Sequence, residues 1–488
     1  MDATILPLFT YLQEQTKRHP NKKFLGGVSG WLTVQEAADR IEAAASEFLR
    51  HGIGSGDLVA LQSERSVDTC LLIFALERVG ATVVLTDPRK DIASFLTECS
   101  AYLPIRAAVS CGRTPLEQRF QDMRTEQIIA AGPYAPEQPS SCLSNDPEAP
   151  GFIVFTSGST GESKAVVLSQ YNLISNIFDA EPLGDYRSGD IALGALPLEH
   201  VFGLVLLIGA AVLGYSIYFP ECTDTSCILD TVSRERITRM NGVPSLYLAM
   251  AEQQAGYDLS SLRVGFIGGG PCTPKQFVLI ENILDMTLIP AYGMSECVGI
   301  TSASYRDPQV IRACSVGKFY ARNTGKILLE DGQEAALCQE GEICVDSHTR
   351  MIGYYGDMAP RGELLHTGDL GYLDSEGFVH ISGRKKDIII RSGVNLSPRK
   401  IEEGLLSIPG VEDAAVIGLP DEAKGELPWA MAVCRKDLRS AVWPALQEKL
   451  AKNELPAGIF YVDSLPLTSS GKPDKPKISE VLAKWKQA

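Results

Sequence analysis

Apolar residues near the amino terminus recur at helical spacing and then give way to short apolar runs. Thr33-Val-Gln-Glu36 has the sequence of a capping box, which predicts a helix that begins there and ends before Gly52. The apolar positions of this helix are Val34, Ala37, Ala38, Ile41, Ala44, Ala45, Phe48 and Leu49. A strand at Leu58–Leu61, a helix at Ser66–Val79 and a strand at Ala81–Leu85 follow. This order predicts a β-α-β unit in a parallel or mixed sheet.

The alternation of strands and helices continues through the middle of the chain and changes near Gly325. Further elements are predicted from Ile191 onwards, at Tyr215–Phe219, Cys227–Arg236, Arg239–Val243, Leu262–Ile267 and Leu288–Ala291. After Gly325 the pattern is one of short strands, at Lys326–Leu329, Glu342–Val345 and Phe378–Ser382. We therefore predict an α/β fold with a large N-terminal domain, residues 1–383, that carries mixed and parallel sheets, helices and a small β-rich subdomain. Residues 384–488 are predicted to form a small α+β domain.

Two segments differ from the alternation of strands and helices. Val201–Phe219 contains no charged residue and approaches the ~20 residues that a membrane-spanning helix needs. Because Gly214 separates an aliphatic part from an aromatic and β-branched part, we interpret it as a buried helix and a buried strand, with a membrane span as the alternative. Residues 135–150 are rich in Pro and Ser and predict a surface connection.

Composition narrows the class of protein. The chain has 488 residues, a formal net charge of −15 and a pI near 5.0, which argues against nonspecific binding to nucleic acid or to anionic membranes. Its 12 cysteines form no C-x-x-C pair, which is typical of reduced thiols rather than of a disulfide framework or a zinc site. An acidic residue, Asp2, stands where a signal peptide has basic residues, so we expect a cytoplasmic protein.

The loop between two predicted strands, Phe152–Phe155 and Ala165–Leu168, has a phosphate-binding composition. Its sequence is Thr156-Ser157-Gly158-Ser159-Thr160-Gly161-Glu162-Ser163-Lys164. Glycines allow the backbone to approach an anion, hydroxyls donate to phosphate oxygens and a lysine adds positive charge. The loop is not a G-x-x-x-x-G-K-[ST] P-loop.

This loop resembles the phosphate-binding signature T-S-G-[ST]-T-G-x-P-K-G of the adenylate-forming superfamily. That superfamily contains acyl-CoA synthetases, adenylation domains of peptide synthetases and luciferases. Ser163 and Ala165 replace the usual Pro and second Gly, while the core of the loop is intact. The resemblance implies that Thr156 to Gly161 and Lys164 bind the phosphates of ATP, with Thr156 also taking part in catalysis.

Two further motifs carry the resemblance in the large domain. Gly268-Gly269-Gly270 follows a predicted strand and would let the backbone lie against a planar ring. Ala291-Tyr292-Gly293-Met294-Ser295-Glu296 matches the family pattern Y-G-x-T-E, with Ser in place of Thr. The resemblance implies an adenine-stacking face at Tyr292, close backbone approach at Gly293, a phosphate donor at Ser295 and a catalytic magnesium ligand at Glu296.

The carboxyl-terminal motifs follow in the order of the family. Thr367-Gly368-Asp369 matches the T-G-D motif, which implies that Asp369 binds the ribose hydroxyls. Arg384 would contact ribose or phosphate, Lys386 would be the hinge about which a mobile small domain turns, and Gly393 would line the approach of the thiol. Leu467-Thr-Ser-Ser-Gly471-Lys472 matches the C-terminal signature, which implies that Lys472 is the catalytic lysine that bridges the carboxylate and the α-phosphate.

The acid-binding part of the resemblance is Leu196-Pro-Leu-Glu199-His200-Val201. In relatives that activate acyl or aryl acids, a P-x-x-H segment packs against the acid. The resemblance implies that His200 binds the acid and takes part in catalysis, and that Val201, Gly270 and Gly293 also bind the substrate. Val201 aligns with the Asp that binds the ammonium of amino-acid substrates, and a valine cannot pair with an amine. We expect an acid without an α-amino group. Glu199 is expected to point to solvent; if it faces the pocket, a polar or cationic substrate is favoured.

Together the motifs predict an ATP-dependent carboxylic acid–CoA ligase that acts on a fatty or aryl acid in two half-reactions. The implied cofactors are ATP, Mg²⁺ and coenzyme A. One alternative is a stand-alone enzyme that loads an acid onto the phosphopantetheine of an acyl carrier protein, and another is a non-catalytic ATP-binding protein. The motifs predict neither the acid, nor the thiol acceptor, nor the oligomeric state.

Overall fold

The large part of the chain is built on two mixed sheets. The computed structural model describes residues 5–99, 101–110, 121–124, 146–156, 164–358, 363–467 and 473–487. In spatial order, the first sheet contains Lys318–Phe319, Cys297–Ser302, Thr287–Met294, Val264–Ile267, Arg239–Gly242, Ile191–Leu193, Ser216–Tyr218, Lys23–Gly27 and Gly30–Thr33. The second contains Asp357–Met358, Gly353–Tyr354, Lys164–Ser169, Pro150–Thr156, Thr82–Thr86, Leu58–Gln62, Ile105–Ser110 and Gln121–Arg124. Their central strands are parallel and antiparallel strands extend them, so the predicted α/β class is confirmed.

Helices lie between and around these sheets. They span Leu8–Arg18, Val34–Arg50, Val67–Arg78, Ile92–Cys99, Gln170–Ala180, Val201–Leu213, Thr225–Glu235, Pro244–Gln253, Pro274–Leu284 and Gln309–Cys314. The predicted capping box is present: the Glu36 N–H donates to Thr33 Oγ1 at 3.2 Å, and the Thr33 N–H donates to Glu36 Oε2 at 2.8 Å. Leu58–Gln62 and Thr82–Thr86 pair in parallel across the helix between them, as the sequence predicts.

The helix Val201–Leu213 is apolar because protein surrounds it. It shares one buried cluster with the helices Leu8–Arg18, Val34–Arg50 and Gln170–Ala180 and with strand residues of both sheets, including Leu25 and Val166. No helix in the described ranges is long and apolar enough to cross a membrane. Gly214, with φ +76°, ends the helix before Ser216–Tyr218, so the predicted helix and strand are both present.

Two smaller sheets follow along the chain. The first contains Thr324–Leu328, Gly341–Asp346, Leu365–Leu373 and Val379–Arg384, all antiparallel. The second contains Val394–Leu396, Ile389–Arg391, Gly425–Cys434 and Val411–Asp421, with Ile459–Val462 parallel to Gly425–Cys434. The helices Pro398–Leu406, Arg439–Gln447 and Lys475–Gln487 pack on this last sheet. Most of the Pro-rich segment predicted as a surface connection lies outside the described residues.

Candidate active site

A buried carboxylate joins three of the sequence motifs. Asp369 lies on Leu365–Leu373 and pairs in register with Arg384 on the neighbouring strand. Arg384 Nε donates to Asp369 Oδ1 and Tyr292 Oη donates to Asp369 Oδ2, each at 2.7 Å. Asp369 is only 5% exposed, so it is part of a strand interior and not of a surface turn. We call these three residues the Asp369 cluster.

The local backbone explains why Tyr292 reaches this carboxylate. A β-bulge at Gly293 interrupts the pairing of Thr287–Met294 with Cys297–Ser302, and Ser295 and Glu296 form the turn between these strands. A Cβ atom at Gly293 would lie 2.3 Å from the carbonyl oxygen of Val298, so only glycine fits. Burial and the Asp369 carboxylate raise the pKa of Tyr292, which keeps its hydroxyl protonated as a donor.

A second contact chain joins Glu296 to the base of the phosphate loop. Tyr354 Oη donates to Glu296 Oε1 at 3.0 Å, and Lys164 Nζ lies 4.8 Å from the centroid of the Tyr354 ring. Tyr354 reaches both because its strand pairs with Lys164–Ser169. Tyr354 lies in none of the sequence motifs, and the two adjacent aromatic residues Tyr354 and Tyr355 are its local signal.

The glycine turn lies next to these motifs. Gly268 is buried, and a Cβ atom there would lie 2.7 Å from the carbonyl oxygen of Ala291, directly before Tyr292. Gly269 has φ +77°, and Gly269 and Gly270 are exposed. The ring of Phe202 lies 3.8 Å from the same position at Gly268, which brings the start of the helix Val201–Leu213 to this turn. The predicted acid-binding and adenine-binding segments are therefore neighbours.

His200 and Val201 lie at the first turn of that helix. His200 is the N-cap residue with an extended backbone, and its carbonyl oxygen accepts hydrogen bonds from the N–H groups of Gly203 and Leu204, each at 3.0 Å. Val201 is half-buried and packs against the main hydrophobic cluster. The helix start thus fixes the backbone positions of both residues.

The expectation that Glu199 points to solvent is wrong. Its side chain is half-buried, and within the described part of the chain its Oε2 atom has no solvent exposure and no hydrogen-bond partner. Burial, with a smaller contribution from Asp87, raises the pKa of Glu199 to about 7, while a backbone hydrogen bond, Arg65 and Arg89 oppose the shift. We call these four residues the Glu199 corner. They come from the loops after three strands, Leu58–Gln62, Thr82–Thr86 and Ile191–Leu193, so no local motif predicts that they lie together.

The predicted hinge is a short helical turn after the strand that carries Arg384. Lys385–Asp387 form a 3₁₀ turn, and Lys475 Nζ contacts Asp387 Oδ2 at 2.6 Å. Burial and the nearby Arg384 lower the pKa of Lys386. Gly393 is exposed, has φ +81° and lies in the turn between Ile389–Arg391 and Val394–Leu396.

Two predicted phosphate-site segments lie outside the described residues. The first contains Ser157, Gly158, Ser159, Thr160 and Gly161, and the second contains Lys472. The two ends of the first segment are described: Thr156 and Lys164 are paired in register on antiparallel strands. The two ends of this loop are therefore adjacent in the sheet, and Lys164 at one end contacts Tyr354.

Comparison with known proteins gives family matches over most of the chain. Residues 12–355 match the family described as AMP-binding enzyme. Residues 400–472 match the family described as AMP-binding enzyme C-terminal domain. The acyl-CoA ligase sidI of Aspergillus fumigatus is 30% identical to this chain, over 92% of the chain and 86% of the relative.

Solved structures agree in fold. The chain is similar to ATP-bound MatB from Rhodopseudomonas palustris, with a TM-score of 0.85, 25% identity and coverage of 97% of this chain and 98% of that one. It is also similar to o-succinylbenzoate coenzyme A synthetase from Bacillus subtilis in complex with ATP and magnesium ion, with a TM-score of 0.83, 25% identity and coverage of 96% and 98%. Both small and large parts of the chain are therefore present in these structures.

Proposed function

Because the chain belongs to the AMP-binding enzyme family, we propose that it is an AMP-forming ligase that joins a fatty or aryl carboxylic acid to coenzyme A. In the first half-reaction the acid carboxylate attacks the α-phosphorus of ATP, which gives an acyl-adenylate and pyrophosphate. In the second, the CoA thiolate attacks the acyl carbon and AMP leaves. A free carboxylate is a poor electrophile, and adenylation supplies the leaving group that it lacks.

The Asp369 cluster is the observation that carries this proposal. A carboxylate that is 5% exposed and held on both oxygens is fixed in position before any ligand binds. Such a group can accept hydrogen bonds from the two hydroxyls of a ribose without first reorganising. The exposed glycines Gly269, Gly270 and Gly293 leave accessible backbone where a planar base would lie, and Tyr292 precedes Gly293.

The residues present fit a magnesium ion with ATP. Glu296 offers a carboxylate in a half-buried turn, its Oε1 positioned by Tyr354, and Ser295 precedes it in the same turn. Carboxylate oxygens together with phosphate oxygens are the usual ligands of Mg²⁺ in nucleotide sites. When bound, the ion would neutralise charge on the phosphates. The similar synthetase from Bacillus subtilis, whose structure contains ATP and magnesium ion, supports this assignment.

The phosphate loop and Lys472 act on the charge that develops during adenylation. Thr156, the hydroxyls of Ser157, Ser159 and Thr160, and Lys164 would donate to the phosphates. Lys472 would bridge the attacking carboxylate and the α-phosphate, two anionic groups that otherwise repel each other. Its contribution is electrostatic and requires no proton transfer.

The acid is proposed to bind beside His200, Val201 and the glycine turn. Val201 packs against apolar residues and offers no charge to an α-ammonium group. This favours a fatty or aryl acid over an amino acid. CoA is favoured over a carrier protein as acceptor because the similar sidI of Aspergillus fumigatus is an acyl-CoA ligase.

The small domain, residues 384–488, is proposed to turn about Lys386 between the half-reactions. Lys386 lies in a short turn between two sheets that belong to different hydrophobic clusters. Rotation there would withdraw Lys472 after adenylation and bring the Gly393 turn to the thiol path. Gly393 has open space around it, which suits a surface that forms only in one of the two states.

ATP–pyrophosphate exchange tests the first half-reaction directly. We would measure exchange with short, medium and long fatty acids, aryl acids and amino acids, using Lys472→Ala and the exposed neighbour Lys477→Ala as a matched control. Loss of one transition-state donor lowers the rate by roughly 10²–10³-fold, so we expect this loss in Lys472→Ala and none in Lys477→Ala. Thioester formation from a supplied acyl-adenylate is expected to be retained in both.

The results that would contradict the proposal are distinct. Exchange that is equal in Lys472→Ala and the wild type would exclude the proposed role of Lys472. Amino acids as the best substrates would contradict the argument from Val201. Acyl-adenylate formation without any CoA thioester would exclude coenzyme A as the acceptor.

A further inference from the structure

Three potential metal ligands converge beside the Asp369 cluster and have no role in the proposed reaction. Glu342 and Cys344 lie on Gly341–Asp346, and His366 lies on the neighbouring strand Leu365–Leu373, directly opposite Cys344 in the pairing register. Glu342 and Cys344 are two residues apart on one strand, so their side chains leave the same face of the sheet. Among the described residues, this is the one group of three such side chains whose ligand atoms all lie within 4.8 Å of one another.

The spacing of the donor atoms fits a tetrahedral ion. His366 Nδ1 lies 3.2 Å from Glu342 Oε2 and 3.4 Å from Cys344 Sγ. Ligands held at the bond lengths usual for zinc, about 2.0 Å for nitrogen and oxygen and 2.3 Å for sulfur, are separated by roughly 3.3–3.6 Å in a tetrahedron. The side chains therefore need only small movements to bind one ion. A chain of hydrogen bonds between the same atoms is the competing explanation of these distances.

The three side chains can be reached from solvent, and a backbone hydrogen bond orients one of them. The side chain of His366 is 61% exposed, so an ion can enter from solvent, whereas Cys344 is fully buried and Glu342 is 11% exposed. The N–H of Gly368 donates to Glu342 Oε1 at 3.1 Å, which orients the carboxylate from behind. The open side at His366 leaves room for a water molecule as the fourth ligand.

We propose that Glu342, Cys344 and His366 form a binding site for Zn²⁺. A thiolate with an imidazole favours zinc over magnesium, which prefers oxygen ligands and octahedral geometry. The Mg²⁺ used with ATP would therefore not compete for it. This site does not depend on the function proposed above, because its test is the binding of metal and not turnover.

Lys385 is the competitor for this site. Its Nζ atom lies 3.1 Å from Glu342 Oε2, the same oxygen that faces His366, and its side chain is 56% exposed. An ion at the site takes the place of the ammonium group, and Lys385 moves into solvent. Because Lys385 begins the turn that contains Lys386, zinc and the proposed hinge share a contact. Removal of Lys385 should strengthen metal binding.

Titration with Co²⁺ tests the site through a spectroscopic signature. Reduced, metal-free protein is titrated with Co²⁺ in the presence of Mg²⁺, and a thiolate-to-cobalt band in the near ultraviolet reports bound sulfur. Zn²⁺ is then added to displace the cobalt. All variants are made in a Cys222→Ser/Cys227→Ser background, because Cys227 Sγ accepts from the Cys222 N–H at 3.2 Å and this pair could bind cobalt elsewhere. Cys338→Ser, at an exposed thiol, is the matched control.

The expected results separate a metal site from a hydrogen-bonded chain. The wild-type site binds one Co²⁺, Cys344→Ser removes the near-ultraviolet band, and His366→Ala weakens binding by roughly tenfold or more. Lys385→Ala tightens binding, and Cys338→Ser changes nothing. His366 is exposed, so its variant remains informative if Cys344→Ser fails to fold.

The proposal is overturned if no thiolate band forms, if the band disappears in the Cys222→Ser/Cys227→Ser background, or if His366→Ala binds as tightly as its parent. Binding that is weaker in Lys385→Ala would also overturn it, since that result would make Lys385 part of the structure of the site and not its competitor.

Discussion

The Asp369 cluster and the Glu199 corner each contain a carboxylate away from water, but only one of them is fully paired. Asp369 receives one hydrogen bond on each oxygen, from Arg384 and from Tyr292. Glu199 has an oxygen with neither solvent nor partner in the described structure. Arg65, which lies nearby, donates instead to the carbonyl oxygen of Ala195 at 3.0 Å.

The two carboxylates therefore differ in how their negative charge is stabilised before a ligand binds. A carboxylate that receives a hydrogen bond on each oxygen is held in place and is ready to accept from hydroxyl groups. An unpaired one is stabilised by a proton or by a donor that arrives with a ligand, and its burial therefore appears as a raised pKa, about 7 for Glu199. The proposed nucleotide side of the site is thus fixed in advance, while the raised pKa of Glu199 predicts a response to pH.

The largest effect is expected from Asp369→Ala. The substitution removes the proposed ribose ligand and leaves Arg384 and Tyr292 without their shared partner. Loss of one member of a buried, hydrogen-bonded charge pair costs about 2–5 kcal/mol. Because the Arg384 side chain is half-exposed, the lower end of this range applies, and kcat/KM for ATP should fall ~30-fold. Steady-state kinetics with varied ATP measures this.

Asp374→Asn provides the control for that experiment. Asp374 lies in the same sheet region and pairs with His380 at 2.9 Å, away from the cluster. We expect its KM for ATP to match the wild type. An Asp369→Ala enzyme with unchanged kinetics for ATP would remove Asp369 from the nucleotide site.

Glu199→Gln is expected to change how stability depends on pH. The pKa of Glu199 is raised from 4.5 to about 7 in the folded state, so the folded state binds the proton more tightly than the unfolded state. Its contribution to the free energy of unfolding is therefore complete below pH 4.5 and is lost as pH rises through about 7. Between pH 5 and 8 the free energy of unfolding of the wild type should fall by about 2–3 kcal/mol relative to that of Glu199→Gln.

Urea unfolding of both proteins across this pH range measures the difference. The matched control is Glu64→Gln, which changes an exposed carboxylate beside Arg65. The pH dependence of its free energy of unfolding should be the same as that of the wild type. Parallel curves for Glu199→Gln and the wild type would show that Glu199 is charged throughout and that its burial is offset by Arg65 and Arg89.

The comparison also explains what the sequence could predict. The three residues of the Asp369 cluster were predictable as site candidates, because Tyr292, Asp369 and Arg384 each lie in a motif with a recognisable pattern, but the hydrogen bonds that join them were not predicted. The helix Val34–Arg50 was predictable because its capping box and its period are local. In both cases neighbouring residues carry the information.

Single contacts between distant segments could not be predicted. Tyr354 connects Lys164 to Glu296 only because its short strand joins the second sheet, and nothing near Tyr354 in the sequence indicates that pairing. The error at Glu199 has the same origin, since Arg65 and Arg89 reach it from loops after other strands. Surface exposure was the ordinary expectation for a glutamate, and tertiary structure overrode it.

Tyr292→Phe should have the smallest effect and isolates one hydrogen bond of the Asp369 cluster. The ring remains, and only the hydroxyl that donates to Asp369 Oδ2 is lost. A single such bond contributes about 1–2 kcal/mol, so we expect a loss of this size in stability and a KM for ATP raised by several-fold. Tyr305→Phe, whose hydroxyl contacts the exposed Arg306, is the control and should change neither. A loss in Tyr292→Phe as large as in Asp369→Ala would mean that Tyr292 positions the carboxylate and that Arg384 alone cannot hold it.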